Sequence, residues 1–226
     1  MNYLDTNYNE RLRPMTAYPR LFCKHLADRY FGSRKGRLLD VCCGRGDHLQ
    51  IFEDLGFDAY GVDRELEATK RGHNVAVLDV DKMDLPHDEG FFDFVMVKSA
   101  IEHIRDVDRL MEGIKRVLKP GGAVVITTCD WKTCYKIFYD DPQHRSPFTI
   151  WSLQNLLESY GFVNVKVEDF YHLPFTWAAP WRRLIPKVVA LLPIDFPQNV
   201  PLTDPITKII KFSREKQILG YARKLC

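Results

Sequence analysis

Between Arg37 and about Thr128 the chain alternates short apolar runs with longer amphipathic ones, and this alternation constrains the fold more than any other feature. Neighbouring parallel strands are joined by a crossover of a dozen or more residues, usually a helix, so the pattern implies a parallel sheet with helices on both faces. The runs RLLDV, FDAYGVD, NVAVLDV, FFDFVMV and GGAVVITT give five strands. Between the first two, DHLQIFEDLG sets Leu49, Phe52 and Leu55 on one helical face and stops at Gly56. DVDRLMEGIKRVLKPGG does the same with Val107, Leu110, Met111, Ile114 and Leu118, stopping at Pro120-Gly121-Gly122. Such crossovers are right-handed.

Ahead of this block, YPRLFCKHLADRYF predicts a helix that buries Leu21, Phe22, Leu26 and Tyr30. Behind it, TIWSLQNLLESYGF predicts a helix capped by Thr149 and stopped by Gly161, VNVKVEDF a sixth strand and QILGYARK a seventh. The expected fold class is α/β: a seven-stranded, mostly parallel, Rossmann-like sheet with helices on both faces, its last strand antiparallel and a helical insertion before it. At 226 residues one domain suffices. It divides into a helical cap (1–36), a core (37–170), an insertion (171–216) and the last strand (217–226). The insertion carries proline at positions 174, 180, 186, 193, 197, 201 and 205, which forbids one long helix and predicts short helical pieces.

Composition mainly excludes. A formal charge of +2 gives no general attraction for nucleic acid, and no arginine-rich groove with interleaved aromatics is evident. No apolar run reaches the roughly 18–20 residues needed to span a bilayer, and the N-terminus shows no signal-like segment, so a cytoplasmic protein is expected. Cys23, Cys42, Cys43, Cys129, Cys134 and Cys226 lack the paired spacing of a zinc site or a disulfide framework, as expected for reduced thiols.

Cys42 and Cys43 sit in LLDVCCGRGDHL, an apolar strand that enters a small-residue turn and then an amphipathic helix. In open α/β sheets nucleotide-type ligands bind at this place, beyond the carboxyl ends of the strands. Gly44 and Gly46 permit positive φ and close backbone approach, and a helix starting near Asp47 offers unpaired N–H groups. The turn lacks the third glycine of the dinucleotide fingerprint, and Asp40 would repel a pyrophosphate. A carboxylate there suits an amino group instead, while Asp63, in GVDRE, is placed to accept both hydroxyl hydrogens of a ribose. Two such carboxylates describe S-adenosylmethionine better than NAD.

LLDVCCGRGDHL, GVDRE, VDKMDLPHDEGFFDFVMVKSAIEHI and IKRVLKPGGAVVITT, in this order, resemble the successive motifs of class I S-adenosylmethionine-dependent methyltransferases of the small-molecule type. The resemblance covers about residues 37–128 and the last strands. The glycine loop is similar to that of ubiquinone and menaquinone methyltransferases, where cysteine can stand in the first glycine position, here Cys42. By this resemblance Asp40, Cys42, Gly44 and Gly46 flank the methionine part and Asp63 holds the ribose. Asp81, Lys82 and Met83 receive the adenine, with Asp79 competing for its amino group. Arg64 and Val97 complete the implied cofactor set.

Methyl transfer from a sulfonium is an in-line displacement, so the enzyme chiefly aligns the acceptor and excludes water, and a hydroxyl acceptor gains from a base. His103, in VKSAIEHI, follows the fourth strand. His144 lies in DDPQHRSPFT, a loop that, with the helix after it, resembles segments of bacterial methyltransferases of glycan and polysaccharide biosynthesis. Asp141, His144 and Arg145 could orient a sugar hydroxyl, with His144 as base and a carboxylate fixing its tautomer; packing would explain either histidine equally well. The Glu102-His103 pair resembles part of a metal-holding Glu-x-x-Glu-His arrangement, but Ser99 stands at the first position, so no metal is expected. No DPPY-like tetrapeptide follows the fourth strand. The expected function is O-methylation of a small-molecule or glycan-type acceptor, a lipid-linked one included. N- or C-methylation of a quinone-like or other metabolite and a non-catalytic cofactor-binding module stay open. Residues 175–194 mix Trp177, Trp181, Arg182, Arg183 and Lys187 with apolar residues, which fits a lid, a dimer contact or a peripheral membrane surface.

Overall fold

The computed structural model describes residues 17–32, 35–192 and 204–226. Its strands are β1 (Arg37–Val41), β2 (Asp58–Asp63), β3 (Asn74–Val77), β4 (Phe92–Lys98), β5 (Leu118–Cys129), β6 (Phe162–Phe170) and β7 (Gln217–Lys224). The helices are α1 (Ala17–Arg29), α2 (Asp47–Asp54), α3 (Val107–Val117), the short α4 (Trp131–Cys134), α5 (Ile150–Ser159), α6 (Leu184–Leu191) and α7 (Pro205–Arg214). No helix among the described residues is long and apolar enough to cross a membrane.

All seven strands join one sheet in the order β3-β2-β1-β4-β5-β7-β6. The first five pair in parallel, and β7 runs antiparallel to both β5 and β6. The expected α/β sheet is therefore present, and its order reverses between β1 and β4. That is where such a sheet opens a crevice at the carboxyl ends of its strands.

Alternation along the strands divides the core. Leu39, Val95 and Val124 face α3 and α5, whose Leu110, Ile114, Leu153 and Leu157 are fully or almost fully buried. Leu38, Phe94 and Met96 face α1 and α2, which contribute Phe22, Leu26, Leu49 and Phe52. Each such side chain contributes about 1.5–3 kcal/mol when fully buried, so both faces of the sheet are needed to hold its edge in place. Thr149 caps α5 through the Ser152 N–H, as its position in the sequence suggests.

One burial and two boundaries differ from expectation for identifiable reasons. Leu21 is exposed and Cys23 is buried in its place, because the inward stripe of α1 runs Phe22, Cys23, Leu26, Ala27. β3 stops at Val77, and Leu78 and Val80 turn into the core while the Asp79 carboxylate takes the Asp81 N–H (3.1 Å) and starts a turn. Finally, α3 ends at Val117 and β5 already begins at Leu118. Pro120-Gly121-Gly122 thus lies in a strand irregularity between the Phe92 and Phe94 pairings and does not terminate the helix directly.

The insertion is broken as its prolines require. Single turns of 3₁₀ helix begin at Pro174 and Pro180, Pro186 sits in the first turn of α6, and Pro205 opens α7 behind an Asp204 cap. Pro193, Pro197 and Pro201, and residues 1–16 of the expected cap, lie outside the described residues.

One glycine in the sheet is required by its neighbour's sulfur. A Cβ on Gly61 would lie 2.7 Å from Cys43 Sγ and 2.8 Å from Leu49 Cδ1. Gly61→Ala is expected to destabilise the fold by about 1–3 kcal/mol, the usual cost of overpacking. The urea midpoint should fall with an unchanged slope, and Cys43→Ala in the same chain should restore part of the loss.

Candidate active site

β1 brings Asp40 to the carboxyl edge, and the chain then turns into α2 through Cys42 (φ 59°), Gly44 (φ 57°) and Gly46 (φ 76°). An L-residue in this left-handed region costs about 1–2 kcal/mol. Cys42 is strained in this way at the end of β1, and Ser99 (φ 48°) likewise at the end of β4, on the two sides of the point where the sheet order reverses. Strain concentrated at one edge marks a functional region. Gly46 is needed twice over, since a Cβ there would also approach His73 Cδ2 to 3.0 Å.

The turn is tied to β2. The Gly44 N–H donates to Asp63 Oδ2 (2.8 Å) and the Glu65 N–H to Asp63 Oδ1 (2.9 Å), which fixes the carboxylate beside the turn. Burial pushes the Asp63 carboxyl above its ordinary range. Burial also raises both cysteine thiols of the turn far above theirs, helped by the charges of Asp40 and Asp63, so both stay protonated. Burial thus favours packing over thiolate chemistry for Cys42 and Cys43.

Asp40 is 1 % exposed, and its Oδ2 has no hydrogen-bond partner among the described residues. Burial pushes this carboxyl up to about 8, with Lys98 lowering it and Asp63 adding to the rise. His48 Nδ1 is 3.8 Å from Oδ2, but burial and then Lys98 hold that imidazole down to about 3, so it is neutral and forms no ion pair. A buried carboxylate without a partner is costly. An ammonium group would supply the missing donor.

Further along the edge is a cavity of about 350 Å³ lined by Arg64, Asp79, Asp81, Lys82, His103, Arg105, Gln143 and Arg145. The fold thus brings three of the expected cofactor residues, Arg64, Asp81 and Lys82, together with the competing Asp79 and with His103. Asp81 Oδ1 accepts from the Arg105 N–H (2.8 Å) and the Asp106 N–H (3.0 Å), while Asp79 pairs with Lys82 Nζ (2.9 Å). Arg64 Nη2 donates to Gln143 Oε1 (2.8 Å), linking the segment after β2 to the loop that holds His144. Met83 is 55 % exposed, and Val97 is fully buried in β4 within the core.

The candidate catalytic groups converge behind this cavity. Glu102 is buried, its Oε2 accepts from Thr128 Oγ1 (2.8 Å), and its carbonyl accepts from the Arg145 N–H (2.7 Å) and the Ser146 N–H (3.1 Å). These bonds bring the His144 loop onto the turn after β4. The His103 and His144 rings are 4.6 Å apart, and donor atoms of Glu102, His103 and His144 lie within 4.8 Å of one another. Burial, and then the neighbouring His144, hold His103 down to about 4, while burial pushes Glu102 up.

Two expectations change here. His144 Nδ1 lies 2.6 Å from the Phe138 carbonyl, so it carries the proton and leaves Nε2 as acceptor; a backbone carbonyl fixes the tautomer. Asp141 Oδ1 instead takes the Gln143 N–H (2.9 Å) of its own turn. Glu102 and Phe138 were missed as site residues. The Glu102-His103 adjacency was visible in the sequence, but nothing local showed that His144 would join it from the following loop.

The strained small-residue turn, the buried Asp40 beside it and the Asp63 carboxylate at the next strand end thus lie together at the carboxyl edge. Residues 13–167 match the methyltransferase domain family. A demethylmenaquinone methyltransferase of Staphylococcus saprophyticus is 30% identical over 170 residues, covering 59% of this chain and 73% of that protein. Among solved structures, a SAM-dependent methyltransferase from Archaeoglobus fulgidus matches with a TM-score of 0.67 at 24% identity, over 99% of this chain and 100% of its own. Haemonchus contortus phosphoethanolamine N-methyltransferase 2, solved with S-adenosylhomocysteine, matches with a TM-score of 0.66 at 23% identity, over 99% of this chain and 59% of its own. The chain belongs to the methyltransferase domain family and is a class I S-adenosylmethionine-dependent enzyme.

Asp40 and Cys42 can be tested without an acceptor. An acid whose folded pKa is raised binds its proton more tightly when folded, so its contribution to stability falls as pH rises from about 4 toward 8. Asp40→Asn should therefore raise Tm by a few degrees at pH 8 and by much less at pH 5, as followed by calorimetry. Cys42→Gly relieves the positive φ and should leave S-adenosylhomocysteine affinity within about threefold; loss of binding would revive a chemical role for the sulfur.

Proposed function

We propose that this methyltransferase acts on a hydroxyl oxygen of a small or glycan-type acceptor. The observation carrying this is the His103–His144 pair, with buried Glu102 beside it, against a cavity also lined by Arg64 and Asp81. S-adenosylmethionine, when bound, supplies an electrophilic methyl group on its sulfonium. Asp40 Oδ2 would take its ammonium, and the backbone from Cys42 to Gly46 would lie along its methionine part. Asp63 would hold the ribose hydroxyls with lone pairs left by the Gly44 and Glu65 N–H groups. Asp81, with Oδ1 already committed to two N–H groups, has Oδ2 for the adenine amino group, and Lys82 and Met83 border the ring.

The remaining work is alignment and proton removal. His103 faces the cavity as a neutral imidazole, and His144 packs against it with Nδ1 on the Phe138 carbonyl. Together they suit an acceptor that loses a proton as its oxygen is methylated. Arg145, held over Glu102 through its backbone, lines the same cavity and can orient acceptor hydroxyls. A second reading, a quinone-like acceptor methylated at carbon or nitrogen, is favoured by the identity to demethylmenaquinone methyltransferase.

Isotope-labelled methyl donor, incubated with the protein and fractionated metabolite, glycan and quinone extracts, would identify the acceptor by mass spectrometry. With that acceptor, His103→Ala and His144→Ala should each lower kcat by about 10²–10⁴ while S-adenosylhomocysteine affinity stays nearly constant. Intact turnover in both variants would sink the proton-removal proposal and favour the quinone-like reading. In calorimetry Asp63→Ala should abolish measurable S-adenosylhomocysteine binding, and equal binding would remove Asp63 from the ribose site.

A further inference from the structure

α6 and the turn before it turn their apolar side outward. Trp181, Leu184, Ile185, Val188, Leu191 and Leu192 follow one helical stripe, and all are exposed, from 43 % at Ile185 to 83 % at Leu191. The buried residue of the helix is Pro186. α7 packs against α6 and adds Ile206, 70 % exposed. A contiguous apolar face of this kind on a water-exposed surface marks an interaction site.

Its charge identifies what it meets. From Tyr171 to Leu192 there is no Asp or Glu, but there are Arg182, Arg183 and Lys187. α7 adds Lys208, Lys211 and Arg214, again without an acidic residue. Arg183 pairs with Glu168 (3.0 Å) and Lys211 with Glu215 (3.3 Å), while Lys187 is exposed on the same helix as the apolar stripe. With six cations against the Glu168 and Glu215 that pair with two of them, the α6–α7 unit is net basic in a chain whose formal charge is only +2. A second copy of the chain would bring like charges together, and a lid would turn its apolar side inward.

The unit is rooted beside the site. The chain leaves the sheet at Phe170 and returns at Gln217, and these two residues pair at the carboxyl edge. Trp177 stacks on Phe170 (5.2 Å) and on His25 (4.8 Å), anchoring the insertion to β6 and α1. We propose that the α6 face is a docking surface for a lipid bilayer with anionic headgroups. Its apolar stripe enters the interface, Trp181 sits at headgroup level and the cations meet lipid phosphates. This presents the carboxyl edge of the sheet to acceptors held in or on the membrane, a consequence that rests on the acceptor reading above; the docking itself does not.

The full chain is mixed with vesicles of phosphatidylcholine alone or with phosphatidylglycerol added, and bound protein is measured by co-sedimentation at low and high salt. Binding is expected to be at least about tenfold stronger to the anionic vesicles and to weaken with salt. The triple variant Leu184→Ser, Val188→Ser, Leu191→Ser should lose binding by about tenfold or more, and Lys187→Gln by about fivefold. Retained S-adenosylhomocysteine affinity and circular dichroism show that each variant is folded, and Lys187→Gln carries the test should the triple variant misfold. Absence of binding to either vesicle, or equal binding by wild type and variants, overturns the proposal. So does a wild-type dimer that the triple variant converts to monomer, since a second copy would then cover the face. Vesicle binding needs neither acceptor nor methyl donor, so its failure leaves the acceptor reading standing, and the failure of that reading leaves vesicle binding intact.

Discussion

The hydrogen bond from the Gly44 N–H to Asp63 Oδ2 joins the ends of β1 and β2, and much of the carboxyl edge depends on it. For that N–H to point at the carboxylate the chain must turn left-handed through Cys42 and Gly44. The Cys43 sulfur then comes down over β2, where it fits because Gly61 has no side chain. With the turn so placed, α2 starts at Asp47 and lays Leu49 and Phe52 on the sheet. Backbone handedness, a missing Cβ and the position of a carboxylate are therefore one constraint, and the strain at Cys42 is set against the packing of a whole helix.

Buried acids in this molecule divide by whether they have partners. Asp130 is as buried as Asp40, yet Lys216 Nζ lies 3.1 Å from it and it caps α4 through the Lys132 N–H. It is a structural group, satisfied within the fold. Asp40 has Lys98 nearby but no hydrogen bond to Oδ2 among the described residues, and burial raises its pKa. Desolvation alone would disfavour either residue, so the unmet valence, and not burial, singles out Asp40 as a ligand-binding group. Glu102 lies between the two, with one oxygen held by Thr128 and its carbonyl fastening the His144 loop.

The sheet and the cofactor edge were legible in the sequence because their signals are local. Strand periodicity, the DVCCGRGD turn and a carboxylate at the end of β2 all lie within stretches of a few residues, and the parallel pairing of the first strands follows from connection lengths. The errors fell where tertiary contacts override such patterns. Leu21 satisfied a helical stripe as well as Cys23 does, and only the position of the sheet decides between them. NVAVLDV reads as one strand until Asp79 takes the Asp81 N–H and bends it. The tautomer of His144 depends on a carbonyl six residues away, which no side-chain pattern encodes. The outward face of α6 is the extreme case, since its periodicity predicts burial as readily as exposure.

The direction of β7 explains why chemistry and the apolar basic face share one edge. β6 runs parallel to β5, so an ordinary crossover would return the chain to the amino edge before the last strand began. Because β7 is antiparallel to β6, the connection starts and ends at the carboxyl edge, at Phe170 and Gln217. Residues can be added between them without disturbing the sheet, at a loop-closure cost that grows only slowly with length. The same edge holds the left-handed turn, Asp40 and the histidine pair. A single reversed strand therefore lets the insertion elaborate the surroundings of the site while the cofactor turn keeps its geometry.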